Sequence, residues 1–226
     1  MRSRPQANQR EFPAAGDASS ASAEPGGGIS ASGACRTAIV AGALTLALPA
    51  AAPLPEAAYL DGPPPAHTGG FGNDTCHNCH FENDLDASGG SLAIGGVPDA
   101  FDPSVSYRIT VSLERPGMGS AGFQLAARVR EGDGAGDPAG ALQALDGDER
   151  VQVVAGADGV SYAQHTAAGT ALTGPQSTSW TFEWRPPADG TAAVAFHAAA
   201  NAANDDASEF GDFIYTASAM THPAGR

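Results

Sequence analysis

From Ser104 onward the chain alternates. Val105, Tyr107, Ile109, Val111 and Leu113 are separated by Ser, Arg, Thr and Ser, the period-two pattern of a half-buried strand. Gly122-Phe123-Gln124-Leu125 opens a second strand, with Ala127 and Val129 continuing its apolar face. Arg150 to Val154 and Val160 to Thr166 are short and β-prone. Ser177 to Trp184 sets Trp180, Phe182 and Trp184 on one face, the expected centre of a core, and Arg185-Pro186-Pro187 ends it. Thr191 to Ala200 puts Val194 and Phe196 on one face and His197 on the other. The Ala-rich stretch 192–203 also suits a helix, because Ala is the best helix former. The Pro-Pro-Ala-Asp-Gly turn before it favours the strand. Asp212 to Thr221 is the last candidate. Short strands at this spacing, punctuated by Gly, Pro and Asp, predict an all-β, immunoglobulin-like antiparallel β-sandwich over residues 104–221.

The pattern ahead of the sandwich is different. Residues 1–35 are polar, rich in Gly, Ser and Ala, and aperiodic, so a disordered leader is expected. Arg36 then precedes the apolar run Thr37 to Leu48, followed by Pro49 and Ala50-Ala51-Ala52. A basic residue, a short apolar stretch and small residues describe a signal peptide region at 36–52, and the run is short for a membrane span. An uncleaved signal anchor is the competing reading. Cys35 lies before the apolar run and is expected to leave with the signal. Residues 53–72 read as a linker, extended at Pro63-Pro64-Pro65 and flexible from His67 to Gly72. Residues 73–103 hold a cysteine motif, and Phe81 to Leu85 is expected to add one or two helical turns before Ser88-Gly89-Gly90.

Composition narrows the partners. Charged residues make up 16% of the chain, all the basic ones are Arg, and the formal net charge is -14. Such a chain is repelled by nucleic acid and by anionic lipid, which removes nucleic-acid binding from consideration. No Gly-x-Ser-x-Gly elbow, phosphate loop or credible carboxylate pair is present, so nothing frames an enzyme.

The candidate chemistry lies in Cys76-His77-Asn78-Cys79-His80. C-x-x-C-H is the spacing for covalent c-type haem attachment. Two thiols one turn apart can add to the two vinyl groups on one porphyrin edge, and His80 then follows as the proximal iron ligand. One covalent haem c is therefore expected on Cys76 and Cys79, with Phe71, Phe81, Leu85, Leu92 and Ile94 as an apolar wall. His165 or His197 is the expected distal iron ligand, and Met118 and Met220 are weaker candidates. Two other readings compete: a disulfide or free thiol pair in an exported loop, and a zinc site completed by His67 or His77. Asp133, Asp137, Asp146, Asp148, Asp205, Asp206 and Glu209 read as solvated turn residues rather than as a calcium loop.

Four stretches carry a family resemblance: Gly122-Phe123-Gln124-Leu125, Gln164-His165-Thr166, the Trp180 to Pro187 block, and Ala193-Val194-Ala195-Phe196. They resemble the reeler domain, the N-terminal domain of reelin. The opening from Thr68 to His80 and the Gly-Asp-x-Ile-Tyr ending within Asn201 to Tyr215 are similar to bacterial exported proteins with a choice-of-anchor V domain. The resemblance spans about residues 65–219. It implies an immunoglobulin-like sandwich exported to the periplasm, the cell surface or beyond.

Together these features predict an exported monohaem protein that transfers electrons to an unknown redox partner or senses redox state through Cys76, Cys79 and His80. The alternative is a haem-free surface or adhesion module with a Cys76–Cys79 disulfide or metal clip.

Overall fold

The computed structural model describes residues 59–225. The expected leader, the signal region with Cys35, and the start of the linker lie outside the described residues. Ten strands form two sheets. The first sheet contains β1 (Ser91–Gly95), β3 (Tyr107–Glu114), β8 (Ser177–Arg185) and β5 (Ala141–Ala144), in that order. The second contains β2 (Ala100–Phe101), β10 (Phe213–Pro223), β9 (Val194–Ala203), β4 (Ser120–Val129), β7 (Ser161–His165) and β6 (Val151–Ala155). All pairings are antiparallel except the short β2–β10 contact.

The all-β sandwich expected from periodicity is what forms. The seven anticipated strands correspond to β3, β4 and β6 to β10, and the Ala-rich stretch is strand β9. Register explains the choice. In β9, Val194, Phe196, Ala198, Ala200 and Ala202 point inward, opposite Val129, Ala127, Leu125, Phe123 and Ala121 of β4. Small inward residues at that strand leave room for the large rings of the facing sheet. Trp180, Phe182 and Trp184 on β8 are at most 1% exposed. Phe123 stacks on Trp180 with ring centroids 4.5 Å apart, and Trp184 meets Phe196 edge-on at 4.9 Å. Burying an indole leaves an N–H to satisfy. Trp180 donates to Gly169 O at 2.8 Å and Trp184 to Ala139 O at 2.9 Å.

The opposite, outer face of the six-stranded sheet is polar. It carries Gln124 and Arg128 from β4, Gln164 and Tyr162 from β7, and His197 and Asn201 from β9. Several of these side chains are nonetheless buried, because residues 59–87 lie across them as an irregular strap. Gln124 donates to Pro64 O at 2.9 Å and accepts from His67 N at 2.7 Å. Gly62 lies against Gln164, and the Asp61 carbonyl accepts from Gln152. Thr68 is 2% exposed. Gly70 sits so close to the His197 ring that a Cβ there would be 2.2 Å from Cγ, so only glycine fits. Within the segment expected to be a flexible linker, Asp61, Pro64 and His67 are bonded to the sheet and Thr68 and Gly70 are buried, whereas Tyr59, Leu60 and Phe71 are exposed. The strap leaves the sheet at β10, where Asp86 N donates to Ile214 O and its carboxylate accepts from Thr216 N and Oγ1. That contact covers part of an edge strand that would otherwise offer bare backbone groups.

Phe123→Ala is expected to cost about 3–5 kcal/mol, because it opens a cavity between Trp180 and Phe182. Urea unfolding followed by tryptophan fluorescence measures it.

Candidate functional site

The cysteine motif sits where the strap passes over β9 and β10. Thr75 is extended and caps a single 3-10 turn, Cys76–Asn78, by accepting from His77 N at 3.1 Å. The turn closes with His80 N donating to Cys76 O at 3.0 Å. No helix follows. Phe81 to Ala87 forms turns instead, because the segment's polar groups bond outward to β10 rather than along itself. Asn83 donates to Asp212 O at 2.8 Å.

His80 is held from below. Its Nδ1 lies 2.8 Å from Asp212 Oδ2. Asp212 is 1% exposed and also accepts from Asn201 Nδ2 at 2.9 Å and Asn204 N at 3.0 Å. A buried carboxylate with three donors fixes the ring orientation of its histidine. His77 is occupied differently, with Nε2 2.8 Å from Asn83 O. His67 Nδ1 lies 3.0 Å from Pro64 O. Each bond ties its ring to the strap backbone through one nitrogen.

The two thiols differ. Cys79 is exposed. Cys76 is only partly covered as a residue, yet burial of its thiol, reinforced by Cys79, pushes it up to about 12 against the hydrogen bond that favours ionisation. It stays a protonated, poorly nucleophilic thiol at neutral pH.

The two expected distal ligands are placed elsewhere. His165 is 7% exposed; Gly122 packs on its ring and Phe123 N donates to its Nδ1 at 3.0 Å. Desolvation holds it below the ordinary imidazole range. His197 is half-buried under Gly70, edge-on to Phe71 at 5.3 Å, and is likewise lowered, by desolvation and by the Arg128 charge. It stands four residues from Asn201, the β9 residue beside His80, which is about 13 Å along a strand. Met118 is buried in the core and Met220 is exposed on β10.

The expected apolar wall is scattered. Leu92 and Ile94 belong to β1 of the four-stranded sheet and pack against the sandwich core. Phe71 rests on His197, whereas Phe81 is 58% exposed and meets Phe210 edge-on at 6.1 Å. These residues do not fit a porphyrin: its wall, distal ligand and attachment turn are in separate places. Among the described residues, no three His, Cys, Asp or Glu side chains converge to hold a metal. The expected electron-transfer or redox-sensing role through a haem at Cys76, Cys79 and His80 is corrected on this ground.

Two features escaped sequence reasoning. One is the Asp212–His80–Asn201 cluster, whose acid stands 132 positions from its histidine. The other is a buried cation. Arg128 is 7% exposed, donates to Asn73 of the strap at 3.2 Å and to Tyr162, and pairs with Asp158 at 2.7 Å. Tyr162 in turn donates to Asp158 at 2.8 Å. Asp158 is lowered by these donors even against its desolvation. Desolvation and the Asp158 hydrogen bond push Tyr162 up to about 12.

No family model and no curated sequence matches the chain. Among solved structures it is similar to the Reelin-N domain of F-spondin, at 22% identity over 66% of this chain and 97% of that chain, with a TM-score of 0.43. It is also similar to the human F-spondin reeler domain, at 24% identity over 62% and 96%, with a TM-score of 0.41. The seventh ScaB type I cohesin from Pseudobacteroides cellulosolvens is 10% identical over 61% and 95%, with a TM-score of 0.31. Each likeness is one of fold.

Because the folded Tyr162 holds its proton more tightly than an unfolded tyrosine, its contribution is full below pH 10 and is lost as pH rises towards about 12. Denaturant midpoints measured from pH 9 upward are expected to fall more steeply for the native chain than for Tyr162→Phe.

Proposed function

We propose that the chain is an exported, haem-free binding or adhesion module in which Cys76 and Cys79, free thiols in this structure, are oxidised after export to a disulfide, the exposed Cys79 reacting first. The observation that carries this reading is the way the strap is built. Several of its polar groups bond down to the sheet and to the β9–β10 loop, while Phe81, 58% exposed, is turned out against Phe210. A core that is already complete has no use for these side chains. Exposed aromatic groups grouped on one surface suit contact with another macromolecule.

The signal-like segment supports export. The resemblance of the strap's opening and of the Gly-Asp-x-Ile-Tyr ending to choice-of-anchor V proteins supports a cell-surface or periplasmic home. In such a compartment an exported oxidant carrying a disulfide exchanges with the pair: its S–S bond breaks, its two sulfurs accept the two electrons and two protons as thiols, and one Cys76–Cys79 S–S bond forms. The gain is local: a disulfide across so short a loop adds little chain-entropy stabilisation, but it fixes the turn that presents His80 and Phe81.

Expression with an intact signal in a host carrying the cytochrome c maturation machinery tests the reading. The expected product is colourless and lighter than its reduced sequence by two hydrogens. A Soret band together with the added mass of a haem would overturn it.

A further inference from the structure

We infer that the Phe81–Phe210 surface is a docking site for a cationic polypeptide segment, one that presents Arg or Lys beside an apolar side chain. This rests on the binding-module reading and names the partner chemistry of that surface.

Phe81 lies in the strap and Phe210 in the loop between β9 and β10. The two rings meet edge-on at 82°, and Phe210 is 48% exposed and Leu85 42%. Single exposed apolar residues are ordinary on protein surfaces. Here the strap turn and the β9–β10 loop are fastened together, because Gly211 N donates to the Glu82 carboxylate and Asn83 to Asp212 O. The aromatic pair therefore sits on a preorganised surface, which lowers the ordering cost of a contact. An edge-on pair also leaves ring faces open to solvent, the geometry that attracts a guanidinium or ammonium group.

Charge selects the partner. Neither turn contains an Arg across residues 81–87 or 204–212, and both are rich in carboxylates. Some of these are spent internally: Asp212 on His80, Asp86 on Thr216, Asp206 on Ser208 and Glu82 on Gly211. Asp84, Asp205 and Glu209 are exposed and take part in none of the ion pairs among the described residues. Exposed carboxylates in the same two turns as the aromatic pair complement a basic partner and repel anionic lipid and nucleic acid.

The test titrates the signal-cleaved chain with a six-residue peptide of alternating Arg and Trp, with its Glu/Trp counterpart as control, and maps amide shifts by NMR. The Arg/Trp peptide is expected to bind saturably, to weaken as salt rises, and to shift amides within 81–86 and 204–211. Phe81→Ala with Phe210→Ala is expected to weaken it about tenfold or more, and Asp84→Asn with Asp205→Asn and Glu209→Gln to flatten the salt dependence. These side chains are exposed, so an unchanged unfolding midpoint serves as the folding control. The inference is overturned by no saturable binding at millimolar peptide, by equal binding of the Glu/Trp peptide, or by shifts spread over other acidic surfaces. It is also overturned if phosphatidylcholine or phosphatidylglycerol vesicles, rather than the peptide, are held through Phe81 and Phe210. None of these results bears on haem content, which the spectrum and mass decide separately.

Discussion

A sheet in a sandwich has two faces, and this molecule makes its outer face a problem. Gln124, Gln164 and Arg128 lie on the outer side of the six-stranded sheet and are buried beneath the strap, so their polar atoms need partners within the protein. A buried amide or guanidinium without a partner costs more than most single contacts supply. The strap answers this need. Pro64 O and His67 N close around Gln124, and Asn73 reaches Arg128. The segment is therefore part of the fold, although it has almost no regular structure. The cysteine turn inherits its position from that arrangement.

This dependence also explains why the motif differs from its sequence signature. C-x-x-C-H specifies spacing along the chain. A haem site further requires an open apolar wall and a second ligand across one iron. In this fold the strap is drawn onto a polar face, and the aromatic and apolar residues expected to line one wall are spread over separate surfaces: Phe71 on His197, Phe81 on Phe210, and Leu92 and Ile94 on β1. The same arrangement leaves Phe81 exposed and edge-on to Phe210.

Much of the sandwich was legible because its strands bury one face. Val111 and Leu113 on β3, Phe123 and Leu125 on β4, and Trp180 to Trp184 on β8 announce themselves by alternation, and each is in the core. Strands β1, β2 and β5 did not. β2 is two residues long, and the run Ala141 to Ala144 has too few large side chains to show a period. The strap was illegible for a different reason: it is held by side chain–backbone hydrogen bonds to residues 57 to 130 positions away, and no local pattern encodes such partners. The C-x-x-C-H spacing marks His80, but no local pattern marks its anchor Asp212, because the pairing spans nearly the whole domain.

The most direct measurement is native-state hydrogen exchange at the strap's anchoring amides, His67 and Thr216, compared with Phe123 in the core strand β4. The account predicts that His67 N–H, bonded to Gln124, and Thr216 N–H, bonded to Asp86, are protected to a degree approaching that of the sheet. Exchange of both at the rate of an unstructured peptide, with Phe123 still protected, would show that the strap is a loose linker and would contradict it.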